Sequence, residues 1–149
     1  MSLDSSTREA AIDLLSVYAS ALDERRFDDW LGLFADDALY TMLLARDEEA
    51  DTNLLAIGED KPRLAGRIEV GRTVERQRVT HLVSSVLPHA GSADVTHLHA
   101  SFALIRENAV LCAGRYRFEL VGAARALRIR RCRVILDHEV IHGTIYLPV

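Results

Sequence analysis

Apolar positions recur every three or four residues in the first part of this chain and every second residue in the rest. Ala11, Leu14, Leu15, Tyr18 and Leu22 fall on one face of a helix. Ser6-Thr7-Arg8-Glu9 has capping-box spacing, with Ser6 as N-cap and Glu9 reaching back. A short second helix is predicted with Phe27, Trp30, Leu31 and Phe34 on one face and Asp28 and Asp29 near its positive end. Ala35-Asp36-Asp37 reads as a break, and Ala38 to Met42 as a first strand.

The pattern is weakest from residue 43 to 65. Arg46 to Asp51 is an acidic run, read as a solvated loop because it lacks the ligand alternation and central glycine of a calcium loop. Gly58 to Pro62 reads as a turn and Arg67 to Gln77 as a third helix, with Val70 and Val74 one turn apart. Strands are then predicted from Thr80 to Leu87, stopped by Pro88, with a turn from His89 to Ser92, and from Val95 to Arg106, with a turn at Glu107-Asn108. Ala109 to Leu120 follows, with Val110, Cys112, Tyr116, Phe118 and Leu120 on one face and Arg115, Arg117 and Glu119 on the other.

The next strand, Leu127 to Leu136, contains a phase slip. Leu127 and Ile129 are odd-numbered, whereas Cys132, Val134 and Leu136 are even-numbered. A regular strand cannot bury both sets on one face, so a β-bulge near Arg130-Arg131 is predicted. After the connection Asp137-His138-Glu139, Val140 to Val149 reads as a final strand. Helices first and long strands after them indicate an α+β class, with N-terminal helices over a curved, mostly antiparallel sheet. Bending such a sheet around its helices makes a cone with a pocket.

Composition narrows the function. At 149 residues the chain fits one domain, 1–149. A net charge of −4 argues against nucleic-acid and anionic-membrane partners. There is no run of apolar residues long enough to cross a membrane and no recognisable secretory leader, so a cytoplasmic location is expected. Of the 18 basic residues all but Lys61 are arginine, the residue better suited to paired and interfacial sites. Cys112 and Cys132 belong to no CxxC or CxH pair, so no zinc or iron–sulfur motif is readable in this chain.

Three groups of residues carry candidate chemistry. His97 and His99 share one strand face, but no third ligand stands at helpful spacing. Tyr18, Asp23 and His81 would line the same pocket in a helix-over-cone fold, as an acid/base pair with a tyrosine donor. The competing explanation makes Tyr18 a core residue and Asp23 a tie for the helix turn. Arg125, Arg128, Arg130, Arg131 and Arg133 cluster around one strand; in an acidic protein they suit carboxylates of another subunit.

Several stretches resemble the small (β) subunits of bacterial aromatic-ring-hydroxylating dioxygenases: Tyr18 to Leu31, Leu33 to Tyr40, Thr80 to Val86, Gly114-Arg115-Tyr116, Arg130 to Asp137 and Val140-Ile141-His142. Ser85 stands where that family's strand usually has Asn, the chain is shorter around Gly91 and Gly122, and Leu43 to Ala65 matches poorly. The resemblance implies the cystatin-like, nuclear-transport-factor-like or SnoaL-like cone. It implies a non-catalytic scaffold that supports a large subunit carrying the Rieske cluster and the mononuclear iron. It also implies three copies of each subunit in a hetero-hexamer, with no cofactor in this chain. Arg128, Arg130, Arg131 and Arg133 are then the subunit-interface candidates.

Other members of the cone superfamily give the alternatives. Isomerases of that group place a base where this chain has Met42, which cannot abstract a proton. A stand-alone dehydratase-like enzyme would use Tyr18, Asp23 and His81. A third reading is a dimeric cone that only binds an apolar ligand.

Overall fold

The computed structural model describes residues 2–49, 57–137 and 147–149. The predicted final strand from Val140, with His142, lies outside the described residues except for its last three positions. Helix α1 spans Ser5–Asp23 and α2 spans Phe27–Leu31. Strand β1 (Phe34–Leu44), the short α3 (Ala45–Glu49), β2 (Ile57–Asp60) and α4 (Lys61–Val74) follow. The remaining strands are β3 (Thr80–Ala90), β4 (Val95–Arg106), β5 (Ala109–Val121) and β6 (Arg128–Leu136).

Helix α1 starts one residue before the predicted cap. Asp4, not Ser6, is the N-cap: its carboxylate accepts the Thr7 N–H at 3.0 Å and the Ser6 and Thr7 hydroxyls at 2.7 and 2.6 Å. A carboxylate has room for all three donors, whereas a Ser6 cap would serve one. Those two hydroxyl bonds, more than the N–H, pull the Asp4 pKa below the usual carboxylate range. The predicted apolar face of α1 is buried as read.

The strands form one sheet in the order β2-β1-β6-β5-β4-β3. Every neighbouring pair is antiparallel except β1 and β6, which run parallel, with Tyr40 opposite Cys132. The mostly antiparallel, helix-covered architecture is as expected, and three strand limits need correction. Ala35-Asp36-Asp37 is not a break but an irregularity inside β1, where the β1–β6 register shifts between Phe34 and Leu39. Lys61 fastens it, donating to the Phe34 carbonyl at 2.8 Å and lying 3.5 Å from Asp36. Phe34 therefore packs into the core from a strand and not from α2. Gly58 to Asp60 is a strand rather than a turn, because it pairs with Leu39 to Thr41, and Asp60 then caps α4 by accepting the Arg63 N–H. The third helix thus begins at Lys61 instead of Arg67 and ends at Val74. Pro88 does not stop β3, since among the described residues β3 is an edge strand paired with β4 alone, and the missing N–H costs no pair. The turn after it is accordingly displaced to Gly91–Asp94.

Bulges set the side-chain phase. Glu119 pairs with Arg131 and Leu120 with Ile129, so Arg130 is the extra residue of β6, where the parity of apolar positions places it. A second bulge at Leu111 turns Val110 outward, 59% exposed, against the sequence expectation. A third, at Ser85-Val86 in β3, puts Ser85 in the left-handed region at φ 53°.

The inner face of the sheet packs on α1 through an aromatic cluster. Tyr18 contacts Trp30, Phe34, Tyr116 and Phe118, and Phe102 stacks on Tyr116 with centroids 4.3 Å apart. Val149, 2% exposed, closes this interior: its carbonyl accepts from Tyr18 Oη at 2.7 Å and its N–H donates to Tyr40 Oη at 3.1 Å. Burial pushes the phenols of Tyr18, Tyr40 and Tyr116 well above the ordinary tyrosine range.

Candidate functional site

The aromatic cluster occupies the space between α1 and the sheet, and the chemistry-bearing side chains gather instead on the sheet's outer face, opposite α1. Strand alternation sends Thr41, His97, His99, Arg117, Glu119, Arg131 and Arg133 to that face. Register then lines them up in two rows across the sheet. One row runs Leu39, Arg131, Glu119, His97, His89. The next runs Thr41, Arg133, Arg117, His99, Leu87. Together with Leu43 they line a half-enclosed groove of about 360 Å³.

The bulge shapes this face. Without it, Arg130 and Arg131 would point to opposite sides; in a bulge they project to similar sides. Both reach Glu119 Oε2, each at 3.4 Å. Arg133 Nε lies 3.2 Å from Glu48 of α3, and Arg115 pairs with Asp137 at 3.1 Å. Arg128 is spent locally, donating to the Leu127 carbonyl at 3.0 Å. Of the four arginines singled out from the sequence, the structure thus brings Arg130, Arg131 and Arg133 to one face, and Arg128 stands at its end. Arg117 and Glu119, from β5, were not among them, although their outward phase was legible.

The histidines border the same groove. The His89 ring stacks on His97 with centroids 5.3 Å apart and meets His99 edge-on at 4.6 Å. Burial, then Arg117 and the two neighbouring rings, lowers the His99 pKa below the ordinary histidine range. Among the described residues no group of three or more His, Cys, Asp or Glu is arranged to hold a metal ion.

The other predicted constellation divides. Asp23, the last residue of α1, and His81, the second of β3, meet at 2.6 Å. Tyr18 belongs elsewhere: its hydroxyl is taken by Val149 and lies 3.7 Å from Cys132 Sγ. The small cavity beside His81, about 180 Å³, is walled by Ile12, Leu15, Ala19, Val83 and Val86. His81 Nε2 is buried and has no hydrogen-bond partner among the described residues.

Comparison with known proteins gives a family for the sequence and relatives for the fold. The model of the ring hydroxylating beta subunit family matches residues 18–143. The small oxygenase component of the p-cumate 2,3-dioxygenase system of Pseudomonas putida is 31% identical over 153 residues, spanning 93% of this chain and 85% of that protein. A structure from Novosphingobium aromaticivorans, provisionally assigned as the beta subunit of an aromatic-ring-hydroxylating dioxygenase, superposes with a TM-score of 0.81 at 23% identity, covering 90% of this chain and 91% of that one. A Nostoc punctiforme protein of unknown function with a cystatin-like fold gives 0.71 at 12% identity, covering 94% and 98%. The last two likenesses speak for the fold alone.

Proposed function

Because this chain belongs to the ring hydroxylating beta subunit family, we propose that it is the non-catalytic small subunit of an aromatic-ring-hydroxylating dioxygenase, supporting the assembly of an iron-bearing large subunit. The observation that supports the scaffold role is the aromatic packing between α1 and the sheet. Where a cone-fold enzyme needs a substrate cavity, Tyr18, Trp30, Phe34, Tyr116 and Phe118 pack against each other and Val149 seals them. The outer face, with Arg128, Arg130, Arg131 and Arg133, is the proposed docking surface for the large subunit.

The Rieske cluster and mononuclear iron of such an oxygenase belong to that large subunit in this reading. Neither cysteine of this chain suits the cluster. Burial pushes the Cys112 thiol up to about 11 and the Cys132 thiol up to about 12, and both are free cysteines inside the core. Ligation needs thiolates, which these positions disfavour. In a working complex this chain's own residues would therefore hold shape and surface charge and move no proton of the substrate.

The test is co-expression with large subunits encoded beside this chain. A stable complex that consumes oxygen when given an arene is the expected result. A chain that purifies alone and dehydrates a hydroxy compound would refute the reading. Reversing Arg130 and Arg133 to Glu should abolish co-purification; an intact complex on a sizing column would move the docking surface elsewhere.

A further inference from the structure

The outer groove contains a charge imbalance that the described residues do not resolve. Arg117 and Arg133 stand directly opposite each other on β5 and β6. Like charges in that position repel. Arg130 and Arg131 share Glu119, and Arg133 has Glu48. Arg117 pairs with no carboxylate among the described residues; its guanidinium donates only to the Tyr116 carbonyl, at 3.1 Å. On its other side is His99, its partner on β4. A half-buried guanidinium is thus flanked by a second arginine and a histidine, at a groove whose far wall is two leucines, Leu39 and Leu43, with Thr41 between them.

We infer that this groove is a carboxylate-binding site, with Arg117 as its seat, Arg133 as the second donor and the Leu39–Leu43 wall receiving the apolar part of the ligand. Arginine presents a planar fork of donors that matches a carboxylate's two oxygens. A carboxylate between Arg117 and Arg133 would turn their repulsion into two attractive contacts. The groove volume of about 360 Å³ suits a group of one ring or one acidic side chain. The same chemistry reaches the groove from two sources, a free aromatic or aliphatic acid, or an Asp or Glu projecting from a partner subunit.

Two measurements on the full chain and its R117Q variant decide the matter. In the first, the purified chain is titrated calorimetrically with benzoate at pH 7 and low salt, with benzamide as the uncharged control. A free acid as ligand gives saturable benzoate binding, none with benzamide, and at least about tenfold weaker binding in R117Q. In the second, both forms are co-expressed with the large subunit. A partner carboxylate as ligand gives no benzoate heat, but loss of co-purification in R117Q. R117Q behaving as wild type in both measurements overturns the site. R117Q should also unfold at the same temperature as wild type or higher, because it removes a like-charge pair. A lower midpoint would give Arg117 a structural role and overturn the inference as well. Failure of the wild type to assemble counts against the small-subunit reading, whereas the benzoate titration stands apart from that reading.

Discussion

Asp23 and His81 are joined three times over: the Asp23 carboxylate takes His81 Nδ1 at 2.6 Å and the His81 main-chain N–H at 3.0 and 3.1 Å from its two oxygens. The contact ties the last residue of α1 to the start of β3. Hydrogen bonds to a charged group are worth about 1.5–3 kcal/mol each, so Asp23→Ala should cost about 3 kcal/mol in urea unfolding. His81→Ala keeps the main-chain bond and should cost less. In the assembled oxygenase, His81→Ala should leave turnover per complex unchanged. Lost turnover in a fully assembled, stable complex would restore a catalytic role.

Gly114 is required by a neighbouring backbone. A Cβ there would come within 2.0 Å of the Ile135 carbonyl oxygen on β6. The main chain cannot give way without opening the β5–β6 ladder. Gly114→Ala should therefore destabilise the chain by about 3 kcal/mol or prevent folding. Near-wild-type chemical denaturation would show that the strands lie further apart.

Ser85 occupies a left-handed bulge position, φ 53°. Asn and Gly tolerate that conformation better than Ser. Ser85→Asn should raise stability by about 0.5–1 kcal/mol and Ser85→Val should lower it by a similar amount or more. The readout is the shift in urea midpoint at constant slope.

Cys132 ties stability to alkaline pH. Its thiol is pushed up to about 12 in the folded chain by burial, whereas the unfolded thiol titrates near about 8.5. Above that value the unfolded state loses its proton first, so stability falls as pH rises toward the folded value. Cys132→Ala should flatten that decline, although the cavity it leaves lowers stability at every pH. Unfolding curves at pH 7 and pH 10 measure the difference. At pH 8 the native thiols of Cys112 and Cys132 should resist a disulfide reagent and react once urea is added.

Period and parity carried much of this fold in the sequence. The face Ala11, Leu14, Leu15, Tyr18 is buried as spacing requires, and the parity conflict in β6 points to a bulge near Arg130-Arg131, where the β5–β6 register shifts. What stayed hidden depends on pairing. Gly58 to Asp60 has turn composition and becomes a strand only because β1 lies beside it. Pro88 is tolerated because β3 stands at the edge of the sheet among the described strands, which no single strand discloses. Asp36-Asp37 looks like a stop until Lys61 reaches across from α4. The candidate groove shows the same limit. Arg131 and Arg133 were visible as a cluster along one strand, but Arg117 became their neighbour only through the β5–β6 register.

The parallel pairing of β1 with β6 has a consequence for how the chain reaches its native state. Strands β3, β4 and β5 meet through tight turns and can pair as soon as they leave the ribosome. Strand β1 waits for a partner roughly ninety positions further along, a closure of high contact order that slows folding. Until β6 arrives, one long edge of β1 stays unpaired and open to association with other chains. Yield in a host cell should therefore depend less on native stability than on how quickly β6 is delivered.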